Sequence, residues 1–69
     1  MRAEEREALR WAVEKRRKGE SFETSLARQV KGLGLGFDDY IRLIADLRDL
    51  SREKGIDLDE ASLELASKE

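Results

Sequence analysis

Cysteine, histidine and proline are all absent from this chain, and aromatic residues make up only 6% of it. Without cysteine no disulfide can brace the fold, and without cysteine and histidine the usual structural zinc sites are excluded. The same absences remove the Cys-His and Ser-His nucleophile systems and the commonest general base near neutral pH, so Ser21 and Ser25 have no base to activate them. No apolar run approaches the ~20 residues of a membrane span, and the opening stretch MRAEEREALRW lacks the apolar region of a secretory signal. The expectation is a cytoplasmic chain that begins as written, is not an enzyme and carries no cofactor.

What is present is charge and short apolar periodicity. Charged residues make up 43% of the 69 positions, which beside a regular apolar pattern reads as helices laced with ion pairs rather than disorder. A chain of this length makes one domain, 1–69, and its core rarely supplies more than ~3 to 5 kcal/mol, so tight helix packing or oligomerisation is expected to help. Net charge is −2, but residues 1–36 hold nine Lys/Arg against six Asp/Glu, whereas residues 37–69 hold five against ten. Basic and acidic helices packed beside each other would screen that asymmetry.

The pattern predicts an all-α fold of four helices, at about 3–18, 22–31, 37–54 and 58–67. The first has Glu4, Glu5 and Glu7 near its positive end and Lys15, Arg16, Arg17 and Lys18 near its negative end, with Gly19 as the stop. Its apolar side, Ala8, Leu9, Ala12 and Val13 with Trp11 on the flank, is thin, so it is expected to pack loosely or on a partner. Ser21 is the cap of the second helix, whose apolar positions are Phe22, Leu26, Ala27, Val30 and Leu33. Three glycines in Gly32-Leu-Gly-Leu-Gly36 rule out a strand and predict a compact apolar turn. Gly55 suits a left-handed cap with Ile56 packing back near Leu50, and Asp57 with Glu60 resembles a capping box opening the last helix.

The long stretch from Phe37 to Lys54 organises the rest. Phe37, Ile41 and Ile44 form one stripe, and Tyr40, Leu43, Leu47 and Leu50 form a second at heptad spacing. Together they cover more of the circumference than one core contact needs. The reading is that Leu26, Val30, Phe37, Ile41, Ile44, Leu58 and Leu65 are core. Tyr40, Leu43, Leu47 and Leu50, with Trp11 or Leu35 at the margin, then form an interface between two copies, most simply a two-fold homodimer, or with another protein.

Other chemistry is thin. Asp46 with Asp49, or Asp38 with Asp39, is the only pairing that would suit a hard cation, and a solvated helix face explains those residues more simply, so no metal site is assigned. GLGLGF lacks both the dinucleotide spacing and a Walker lysine, and Asp38 and Asp39 occupy the position a phosphate would take. The cluster Lys15-Arg16-Arg17-Lys18, with Arg10, Arg28 and Lys31, is the one feature suited to nucleic-acid phosphates. Four adjacent cations spread around a whole helical turn, however, which suits a helix C-terminus equally well.

The segment SLARQVKGLGLGFDDYIRLIADL, about a third of the chain, resembles the helix-turn-helix halves of small transcription regulators, including the paired helices of ribbon-helix-helix antitoxins. The basic strand that reads DNA in the latter group is not found, and no residue roles are carried over. The resemblance implies regulatory nucleic-acid binding through the basic half as the alternative. The first expectation is a small non-enzymatic protein-interaction module, self-associating through the central helix.

Overall fold

Four helices follow one another in the computed structural model, which describes residues 1–68: α1 (Ala3–Glu14), α2 (Phe22–Gly32), α3 (Phe37–Lys54) and α4 (Leu58–Ser67). No strand occurs among the described residues. Three of the ends are set by the residues expected to set them. Ser21 Oγ accepts from Thr24 N–H at 3.2 Å and Asp57 Oδ1 accepts from Glu60 N–H at 2.8 Å, each supplying an acceptor to a helix N-terminus that has none of its own. Gly55 takes the left-handed conformation at φ +66°, and Ile56 N–H bonds back to the Ser51 carbonyl at 3.1 Å, which is a Schellman stop. α2 ends by the same device one glycine later than expected. Gly32 is still helical, and Gly34, at φ +76°, makes the turn while Leu35 N–H bonds to the Val30 carbonyl. Leu33 and Leu35 pack against the core, so the glycine-rich stretch is the compact apolar turn that its spacing predicts.

α1 is shorter than its charge pattern predicts. It ends at Glu14, and Lys15 to Lys18 form an irregular link to Gly19, whose φ of +82° reverses the chain. Specific partners replace the helical bonds that this link gives up. Arg16 pairs with Asp59 of α4 at 2.8 Å, and Arg28 of α2 donates to the Lys15 carbonyl at 3.0 Å and to Glu20 at 2.8 Å.

The helices form a ring in which α1 packs on α4 and α2, and α3 packs on the same two helices from the other side. The core is Ala8, Leu9 and Ala12 of α1, Phe22, Leu26 and Val30 of α2, Leu43, Ile44, Leu47 and Leu50 of α3, and Ala61 of α4. α1 therefore docks closely on its own chain, where its thin apolar side predicts loose packing or a partner. Its alanines are the reason, since Ala8 and Ala12 have no exposed surface and let the neighbouring helices come close to the α1 backbone. Ser25 Oγ of α2 donates to the Ala12 carbonyl at 2.7 Å, and Ser62 Oγ of α4 donates to the Leu9 carbonyl at 2.6 Å, both buried. Each hydroxyl is thereby satisfied inside the core, where an unpaired one would be costly.

The inside of α3 is also rotated from the predicted one. Leu26, Val30 and Ile44 are core as expected, and Leu58 and Leu65 pack at its edge. Phe37 and Ile41, also expected inside, are 73% and 46% exposed. The Leu43, Leu47 and Leu50 stripe runs farther along α3 and faces both α2 and α4. Phe37 and Ile41 lie only in its first two turns, on a side that no helix covers.

Candidate interaction face

Phe37 and Ile41 stand one helical turn apart on the outer side of α3, and Ala45, one turn further, is exposed as well. Beside them α2 and α3 enclose a shallow groove of about 510 Å³, lined by Glu23, Thr24, Ala27, Val30 and Lys31 of α2, by Leu35 of the turn, and by Phe37 and Tyr40 of α3. The Phe37 and Tyr40 rings stack with centroids 6.0 Å apart and planes at 27°. This stacking fixes Phe37 as a wall of the groove and leaves its outer side in water. The groove floor is apolar, and its polar residues sit at the two ends of the α2 outer face, acid at the first turn and base at the last.

The residues expected to form an interface are divided between two places. Leu43, Leu47 and Leu50 point into the chain's own core and offer no surface, which corrects their assignment to an outward edge. They are inside because α2 and α4 both pack on that side of α3. Tyr40 and Leu35 line the groove. Trp11 lies on α1, half-buried, with the Lys15 ammonium 4.0 Å from its ring centroid.

The basic residues do not form one stripe. Arg16 is held by Asp59, Arg28 by Glu20 and the Lys15 carbonyl, and Lys15 by the Trp11 ring. Arg17 and Lys18 share the α1–α2 link with Glu20, whose carboxylate also accepts the Arg17 backbone N–H. The Arg28 guanidinium and that N–H hold the Glu20 carboxyl down at about 2. An anion approaching this link therefore meets a fixed carboxylate among the cations. Arg10 lies apart beside Glu14 and Leu63, and Lys31 stands at the groove.

The carboxylates named as cation candidates also have local work. Asp39 accepts the Gly36 backbone N–H at 3.0 Å and binds Arg2 at 2.8 Å and Arg42 at 3.2 Å, an arrangement that caps α3 and ties it to the start of α1. Its carboxyl is held below the ordinary value, first by the Gly36 N–H and then by Arg2. Asp49 lies 3.9 Å from Arg52 in an exposed pair. The same tie includes Glu5, a buried carboxylate on α1 that receives the Arg2 backbone N–H at 3.0 Å and the Arg42 guanidinium. Burial pushes the Glu5 carboxyl up, but that N–H and the two guanidiniums outweigh it and hold it low. Arg2 with Asp39, Arg42 with Glu5, and Arg16 with Asp59 each join the basic half to the acidic half. The Arg2 and Arg16 pairs are the mutual screening that the charge asymmetry predicts, whereas the Arg42–Glu5 pair runs the other way.

No protein-family model, curated protein or solved structure matches the chain. Among the described residues no helix is long and apolar enough to cross a membrane. The sequence reading missed Glu23, Thr24 and Ala27 as members of a face. The available signal was the short reach of the Phe37 and Ile41 stripe compared with the leucine stripe beside it.

Proposed function

We propose that this chain is a small, non-enzymatic, cytoplasmic protein-interaction module that self-associates through the outer face of α2 and α3. The observation that carries the reading is the exposure of Phe37 and Ile41 one helical turn apart on α3, with Phe37 at the edge of an apolar groove. Burying such a side chain is worth ~1.5 to 3 kcal/mol. A domain whose whole core supplies only a few times that amount forgoes much by leaving both in water. Clustered apolar exposure of this kind marks a contact surface, whereas scattered single residues do not. The central helix remains the contributor expected from the sequence, with its contact side turned from the leucines to Phe37 and Ile41. Nucleic-acid binding has less support, because Arg16, Arg28 and Lys15 are engaged within the chain.

Light scattering across a concentration series tests the proposal. The wild-type mass is expected to rise toward twice 7.9 kDa at high micromolar concentration. Phe37→Glu with Ile41→Glu should keep the helical circular-dichroism signal and the monomer mass throughout. A wild-type mass that stays at 7.9 kDa throughout the series overturns the proposal.

A further inference from the structure

The outer surface of α2 carries a particular order of residues at four-residue spacing: Glu23, Ala27, Lys31. An acid and a base stand ~6 Å to either side of a small residue along the helix axis. All three line the groove, with Phe37 at its edge. Such a row is self-complementary under one operation, a two-fold axis through Ala27. That rotation reverses the second copy's α2 and sets Glu23 of each chain against Lys31 of the other, twice, with Ala27 against Ala27 between them. Rows spaced by four are also the ridges that interlock in the commonest helix crossing, near −50°. Alanine at the crossing point permits close approach, and long Glu and Lys side chains span the divergence on either side.

We infer that the partner of this face is a second copy of the same chain, docked as an isologous pair with α2 antiparallel to α2 across Ala27 and with Phe37 of each copy seated at the Thr24 end of the other's groove. This rests on self-association through the α2–α3 face and adds the symmetry and the register. A projecting ring and a groove side by side on one surface are what a two-fold interface requires, because each copy must present both parts of the contact. Opposite charges at the two ends of the row exclude the parallel register, which would set Glu23 against Glu23 and Lys31 against Lys31.

Charge reversal tests the register by sedimentation equilibrium at low salt, where exposed pairs act most strongly. Glu23→Lys alone, or Lys31→Glu alone, turns both attractive contacts repulsive. Each should weaken the dimer on the order of tenfold, from two exposed pairs lost and two repulsions gained. Combining the two changes in one chain restores both contacts, and so does mixing the two single variants in equal amounts, and each is expected to return the wild-type constant. Ala27→Glu puts two like charges on the axis and should give monomers that melt where the wild type melts at concentrations too low for association. If Phe37→Glu with Ile41→Glu abolishes the dimer but the charge variants and Ala27→Glu do not weaken it, or the mixture fails to recover, the face stands and this register is overturned. A wild-type chain that is monomeric throughout overturns both.

Discussion

The two sides of α2 differ in a way that explains the molecule. Toward α1, α2 presents Ser25 and Leu26 to a helix whose apolar face consists of two alanines and a leucine, and every one of those residues is fully buried. Toward α3 and solvent it presents the buried Val30 and the exposed Ala27 beside Phe37, which is 73% exposed. The region with less apolar material is the tightly packed one. Side-chain size sets how much surface a residue can bury, but the number of helices within reach sets how much it does bury. α1 has α2 and α4 against it, whereas the first two turns of α3 are tied to α1 through the Arg2, Glu5, Asp39 and Arg42 charges and leave Phe37 and Ile41 exposed.

Leu9→Ala should make the largest difference between the two sides, lowering unfolding free energy by ~2 to 5 kcal/mol through the cavity it leaves, as read by urea denaturation. Ala12→Leu probes the closeness of α1 in the opposite direction. With no free surface at Ala12 and the Ser25 hydroxyl against its carbonyl, the added bulk is expected to cost ~1 to 3 kcal/mol, whereas a loosely docked α1 would gain stability from it. Acid should loosen the ties among helices on the buried side. Glu5, Glu20 and Asp39 are held below their ordinary values in the folded chain, so their contribution is complete above the unfolded-state values. That contribution is lost as pH falls through the folded ones, for Glu20 from 4.5 toward about 2. The melting midpoint should therefore be level near neutrality and fall below about pH 4.5, less steeply in Arg28→Ala. The smallest effect belongs to the open side, where Phe37→Ala should leave monomer stability within ~0.5 kcal/mol, measured at concentrations too low for association.

Helix count, the bounds of α3 and α4, and three of the helix ends were legible because capping is local: Ser21, Asp57 and Gly55 act within one turn of themselves. The end of α1 was not legible, because the bonds that replace its last turn come from Asp59, Arg28 and Glu20, far along the chain or across a reversal. Nor was the orientation of α3. Its two adjacent stripes are comparable in hydrophobicity, and only the placement of α2 and α4 decides which of them is inside. Alanine carries little signal in a hydrophobic pattern, so Ala8 and Ala12 read as a weak face although close packing depends on their smallness. Ala27 reads as one of the apolar positions of α2 with Phe22, Leu26, Val30 and Leu33, but it is exposed and lines the groove beside Tyr40 and Leu35.

The most direct test of the account is solvent accessibility of individual methyl groups, read from the line broadening caused by a soluble paramagnetic agent at low and high protein concentration. The account predicts strong broadening for Ile41 and Ala27 in the dilute sample, relief of that broadening as concentration rises, and almost none at Ala8, Leu9 or Ala12 under either condition. Equal broadening of the α1 methyls and Ile41, or an Ile41 signal unaffected by concentration, would contradict it.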